Sequence, residues 1–296
     1  MGWITRVKKA IHMELREHKS SFVVYQLLRI IVIGVMSYSF INKNYKSFFL
    51  CILTLILLIL PSFLQVTLKV EFSTVLEITV LLFIFAAQIL GEINGFYLKY
   101  PNWDTVLHTL CGFLTAAIGV SLVDLLNKSE KLLFELSPFF SSIVGFCFSM
   151  TIGVLWEIFE YAMDRMFLVD MQKDSIVQHI SSVALDPIEQ NVPVIIQNIK
   201  STVIDGELLP LQGYLDIGLY DTMNDLIVNF IGAAVFAFLS YWYIRKRDEK
   251  SLVGKIIPRK KAKERDFFKM IKEKEEDFYG NGYDGSYDSI NCEKLN

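Results

Sequence analysis

"PFFSSIVGFCFSMTIGVLWEIFEYAMD", residues 138–164, decides the fold class. From Pro138 the run is apolar for long enough to cross a bilayer, which takes about 20 mostly apolar residues. Glu157 and Glu160 then follow, three apart and so on one helical face. A charge at mid-bilayer costs roughly 2.5–3.5 kcal/mol on insertion scales, and two like charges together cost more. The pair must lie outside the hydrocarbon or be compensated. At about 1.5 Å per residue, Glu157 is roughly 28 Å along a helix that starts at Pro138. That is the far edge of a hydrocarbon core about 30 Å thick. Trp156 beside it suits the aromatic belt of a membrane interface.

The rest of the chain agrees with a membrane reading. It has 296 residues, is 53% hydrophobic and has a mean hydropathy of +0.40. That is too apolar for an ordinary soluble domain. Six segments are long and apolar enough to span: about 22–41, 47–65, 72–94, 104–126, 138–163 and 221–244. The expected fold class is therefore all-α, a six-transmembrane-helix bundle over residues 1–248. Five connections are short, and residues 164–220 form one long loop containing Pro187, Pro193 and Pro210. Residues 3–18 read as an amphipathic helix lying on the membrane, with Trp3, Ile4, Val7, Ile11 and Leu15 as its apolar stripe. A cleaved leader is the weaker reading, because no A-x-A-like site follows the charged segment. Residues 249–296 read as a cytoplasmic region: a basic helix over 255–277, then a disordered polar tail. Cys51, Cys111 and Cys147 fall in apolar runs, and with Cys292 they make no C-x-x-C pair. This is neither a disulfide framework nor a zinc-finger pattern.

Lys and Arg near the span ends set the direction. Arg6, Lys8, Lys9, Arg16 and Lys19 precede the first span. Arg245, Lys246, Arg247, Lys250 and the cluster "PRKKAKER" (258–265) follow the last. Both termini are expected in the cytoplasm of a multi-pass plasma-membrane protein, with the 164–220 loop outside. Between 169 and 217 that loop has seven acidic residues and only Lys173 and Lys200. Lys43 and Lys46 in the first loop oppose this direction but are outweighed. The expected partners are the lipid bilayer and, for the basic tail, anionic lipid headgroups at the cytoplasmic face. Nucleic acid is not expected, and the sequence allows a homo-oligomer. Arg29 in span 1 and Glu77 in span 3 have similar depth and are expected to form an interhelical ion pair.

Depth is what singles out a functional layer. Span 4 opens outside with "NWDTVLHTLCG" (102–112), which puts Asp104 and His108 on one face. Span 6 opens outside with Asp221, Asp225 and Asn229 at intervals of four. Glu157, Glu160 and, a turn later, Asp164 close span 5, and Gln88 and Glu92 close span 3. Gly112, Ala116, Gly119, Gly145, Gly153, Gly232 and Ala233 permit close approach of spans 4 to 6. So many carboxylates in one layer need protons or a cation, since each like-charge pair at 4 Å costs about 4 kcal/mol at an effective dielectric near 20. An Asp, Glu and His set suits a divalent cation: Mg, Mn or Zn. The candidate metal ligands are Asp104, His108, Glu157, Glu160, Asp221 and Asp225, with His108 and Glu160 as candidate catalytic groups. The E-x-x-H pairs of di-iron bundles are absent. The plainer readings are helix N-caps for Asp104 and Asp221, interface anchors for Trp103 and Trp156, and protonated packing groups for Glu157 and Glu160.

The motifs "WDTVLHTLCG", "LWEIFEY" and "DTMNDLIVNFIGA" resemble those of the bacterial YjdF-like inner-membrane proteins, a family without an established activity. They cover spans 4 to 6. The resemblance implies a polytopic membrane protein whose functional residues are Asp104, His108, Glu157, Glu160, Asp221 and Asp225, and it implies no substrate. The expected function is metal-assisted hydrolysis or transfer on a lipid-linked or headgroup substrate at an outward-facing site. The rivals are an ion- or proton-coupled transporter and a non-enzymatic membrane assembly partner. No serine or cysteine nucleophile with triad-like partners is visible, and the transporter reading lacks a polar path through spans 4 to 6.

Overall fold

The computed structural model describes residues 2–127, 136–188, 191–248 and 251–280. In chain order the helices are α1 (Trp3–Leu15), α2 (Lys19–Ile41), α3 (Tyr45–Leu57), α4 (Leu60–Leu68), α5 (Thr74–Phe85), α6 (Phe96–Lys99), α7 (Trp103–Asn127), α8 (Pro138–Phe167), α9 (Leu219–Lys246), α10 (Leu252–Ile256) and α11 (Phe267–Gly280). Six stretches are long and apolar enough to cross a membrane: α2, α3 with α4, α5 with its π-helical extension Ala86–Ile93, α7, α8 and α9. They match the six expected spans to within a few residues at each end. The chain divides into two compact units, Met1–Gly95 with Lys255–Asn296, and Phe96–Gly254. That division differs from the expected boundary at 248/249: the C-terminal segment groups with the N-terminal one.

In the first unit, local chemistry sets the helix ends. The Asn44 side chain accepts from Ser47 N at 3.1 Å to start α3, and Ser73 Oγ accepts from Leu76 N at 3.2 Å to start α5. Pro61 has no N–H to continue the ladder, so the second span breaks between α3 and α4. The core is built around Tyr25, Leu28 and Val32 of α2, with Cys51, Leu58, Leu81, Ile84 and Ile89. These α2 positions recur every three or four residues, so Arg29 turns away from the core and is exposed. Glu77 is buried and takes Gln65 Nε2 at 3.5 Å, while Gln65 Oε1 accepts from Phe72 N at 2.8 Å. The expected Arg29–Glu77 ion pair is therefore replaced by a buried Glu77–Gln65 contact.

The C-terminal segment is not one free basic helix over 255–277. Pro258 breaks it after α10, and Arg259–Lys260 then pair antiparallel with Val70–Glu71. Phe267 and Ile271 of α11 pack with Ala10 of α1 and Val66 of α4. Lys261 is buried and donates to Glu14, which is 3% exposed. Arg265 lies 3.2 Å from Glu17 and also pairs with Glu71, and Arg6 pairs with Glu275 at 2.8 Å. α1 is amphipathic as expected, with Val7, Ala10 and Glu14 inward and Trp3 and Ile4 exposed. The expected disordered tail beyond Gly280, with Cys292, lies outside the described residues.

In the second unit α7, α8 and α9 pack together along small residues. A Cβ on Gly112 would sit 2.2 Å from Asn229 O, and one on Gly232 would sit 2.0 Å from Thr109 O. Ser149 Oγ donates to Gly112 O at 2.7 Å, and the Ser142 and Ser240 hydroxyls lie 3.0 Å apart. The connection from α8 to α9 holds short antiparallel strands that an all-helical reading did not foresee. Ile176–Val177 pairs with Tyr214–Leu215, and His179–Ser182 with Val194–Gln197. Val203–Ile204 pairs with Glu207–Leu208 across Asp205-Gly206, both at positive φ, as a primed hairpin turn requires.

Candidate functional site

The site lies in the second unit, where the start of α7, the C-terminal part of α8 and the start of α9 meet. Helical spacing stacks Asp104 under His108 on α7, and Nε2 of His108 lies 3.4 Å from Asp104 Oδ1. The same Nε2 lies 3.8 Å from Asp225 Oδ2 on α9. The other ring nitrogen, Nδ1, lies 3.7 Å from Glu157 Oε1 on α8. One imidazole thus stands among carboxylates from three helices, two on one edge and one on the other. Asp104, His108 and Asp225 each offer an atom within 4.8 Å of the others, a spacing that a metal ion could bridge.

Burial makes the cluster more than a surface accumulation of charge. Asp225 is 4% exposed and Glu157 5%. Asp225 Oδ2 and both Glu157 oxygens are buried without a hydrogen-bond partner. The Thr222 hydroxyl, one turn before Asp225, accepts from Gln172 Nε2. Unsatisfied buried carboxylate oxygens are costly and require an explanation, such as an ion.

Other carboxylates of the layer accept hydrogen bonds of their own. Glu160 is buried and accepts from Trp156 Nε1 at 3.0 Å, so Trp156 has a partner inside the bundle. Asp221 is not the N-cap of α9, a position occupied by Gly218, and its Oδ2 accepts from Lys173 N at 2.8 Å. Asp164 accepts from the backbone of Met171 at 2.6 Å and of Gln172 at 2.8 Å. Asp164 and Asp221 therefore pin the 168–218 connection onto the helix ends. Asp104 stands in the first turn of α7 yet faces His108. His179 is exposed on its strand, and Glu92 belongs to the first unit.

Sequence reasoning named Asn229 as part of the α9 face but not as a hub. It is 1% exposed, its Oδ1 has no partner, and a Cβ on Gly153 would come within 2.6 Å of its Nδ2. The i, i+4 repeat from Asp221 through Asp225 was the available signal. Asp216 went unnoticed: its carboxylate accepts from Ser175 N at 2.8 Å and Tyr220 N at 2.8 Å, fixing the entry to α9.

The profile of the DUF2238 family, described as predicted membrane proteins, matches residues 24–246. That range holds the last five spans, most of the first and every residue of the site, and is wider than the motifs in spans 4 to 6. No curated protein and no solved structure matches the chain.

Proposed function

The chain belongs to the DUF2238 family of predicted membrane proteins, and from that premise we propose that it is a metal-dependent membrane enzyme. Asp104, His108 and Asp225 hold one divalent cation, with the chemistry of Mg, Mn or Zn. The substrate class is a lipid-linked or headgroup group undergoing hydrolysis or phosphoryl-type transfer. The observation that carries the reading is the buried Asp225 oxygen, unpartnered and 3.8 Å from His108 Nε2. A bound cation supplies Lewis-acid polarisation and a more acidic water.

The protein groups divide the remaining work. Glu157 faces Nδ1, the nitrogen a metal-bound histidine uses to reach an orienting carboxylate. With Nε2 turned to the two aspartates, His108 serves as a ligand more readily than as a general acid. Glu160, held by Trp156, is then the carboxylate assigned to proton transfer. Three protein ligands leave positions open for water and substrate, as catalytic sites do. The likeness to YjdF-like proteins fits the same site residues. A second reading, a bundle organised by neutral carboxylates for assembly, is favoured by the packing of Asn229 against Gly112 and Gly153.

Elemental analysis of the detergent-purified full chain separates the two. Under the enzyme reading, near-stoichiometric divalent metal copurifies, chelation lowers Tm, and Asp104→Asn or Asp225→Asn loses both. Absence of metal, with no chelator response in the parent and amide variants as stable as it, would leave the assembly reading standing.

A further inference from the structure

The first unit holds a cleft of about 780 Å³ between α1, α2 and the second span. The α1 side contributes Lys8, Lys9, His12 and Arg16, and α2 contributes Arg29. No Asp or Glu lines it. The carboxylates of this end of the unit are already engaged: Glu14 with Lys261, Glu17 with Arg265, and Glu275 with Arg6. Among the described residues no carboxylate pairs with Lys8, Lys9, Arg16 or Arg29. The cleft is thus a concentration of uncompensated positive charge.

Its other wall is apolar. Phe22, Tyr25, Ile33 and Met36 follow one face of α2, with Leu55 and Ile59 opposite. From Phe22 to Met36 that face runs about 21 Å at 1.5 Å per residue. One leaflet of a bilayer with a 30 Å core is about 15 Å deep. The cleft therefore runs the depth of a leaflet, along a helix that is itself a candidate membrane span. Arg29 lies about 10 Å along this face from Phe22. An arginine there keeps its charge by reaching towards a polar group, and a phosphate is the planar fork's natural partner. Cationic groups at one end and an apolar trough at the other match one kind of molecule.

We propose that this cleft binds an anionic phospholipid. The phosphate lies among Lys8, Lys9, Arg16 and Arg29, and an acyl chain lies along Ile33, Met36 and Leu55. A lipid held there ties the amphipathic α1 to the first two spans. In the C-terminal segment expected to attract anionic headgroups, Lys261 and Arg265 are engaged in ion pairs. The proposal uses no residue of the carboxylate cluster.

The test is lipid retention by the detergent-purified full chain, read by native mass spectrometry and by Tm. Phosphatidylglycerol should survive delipidating washes and raise Tm by several degrees. Phosphatidylcholine and inorganic phosphate should do neither. Arg16→Gln with Arg29→Gln should retain phosphatidylglycerol at least tenfold less. Met36→Trp, which keeps every charge but fills the trough, should do the same. Lys269→Gln with Lys272→Gln, exposed on α11, should bind like the parent. If the double arginine variant does not fold, Met36→Trp alone decides. Equal retention of phosphatidylcholine, stabilisation by inorganic phosphate alone, or a folded Met36→Trp that keeps its phosphatidylglycerol would each overturn the proposal.

Discussion

His108 is one ring with two different edges, and the carboxylates around it are not equivalent. Asp104 and Asp225 share Nε2, whereas Glu157 meets Nδ1. Losing an orienting partner of a metal-bound histidine typically weakens metal affinity 10- to 100-fold. On the proposed cation site, Glu157→Gln should reduce cation affinity by about that factor in an equilibrium titration. Asp221→Ala should leave it almost unchanged, while costing about 1–2 kcal/mol of stability through the lost bond to Lys173 N. Equal losses of metal in the two variants would show that Asp221 is a ligand after all. Glu14 poses a different residue-scale question. Burial raises its carboxyl from 4.5 to about 7, against the opposing pull of Lys261. Between those values the folded chain holds a proton that the unfolded chain releases. The contribution is full below pH 4.5 and is lost as pH rises through about 7. The Tm of the parent relative to Glu14→Gln should accordingly fall between pH 5 and 8, and a flat difference in thermal melts would contradict it. The candidate residues were legible as same-face pairs, because spacing along a helix is a property of sequence. Which carboxylates share the imidazole was not, because that depends on how each helix is rotated about its axis.

At the scale of elements, rotation is set by where backbones touch. Gly112 and Gly232 let α7 and α9 approach until a single added carbon would strike backbone oxygen. Gly112→Ala or Gly232→Ala should cost at least about 1–3 kcal/mol, since backbone cannot yield as a side chain can. Gly34 of α2 has nothing within 4 Å of its would-be Cβ, and Gly34→Ala should be neutral or stabilising by up to about 1 kcal/mol. Chemical denaturation of the three variants in mixed micelles would rank them. Span positions were readable because apolar length is a local count. The short strands between α8 and α9 were not, since two to four residues carry little pattern, although Asp205-Gly206 marked one hairpin. The expected helix over 255–277 failed at Pro258, where the missing N–H and the restricted preceding residue end α10.

At the scale of the whole molecule, the sided reading of the membrane gives the broadest prediction. A cysteine at Ser201 should react with an impermeant thiol reagent on intact cells, and one at Ser251 should not; the reverse pattern would invert the sidedness. The division into units carries a further consequence, for how the protein is made. Glu14 and its partner Lys261 are 247 residues apart in sequence. At synthesis rates of roughly 5–20 residues per second, the first must wait on the order of 10–50 s for the second to be made. A buried charge left without its partner is strongly destabilising. Burial of Glu14 favours its neutral form, and that lessens the hazard while Lys261 is still unmade. The last-made segment of the chain then acts as a latch on the first, closing when Lys261 reaches Glu14.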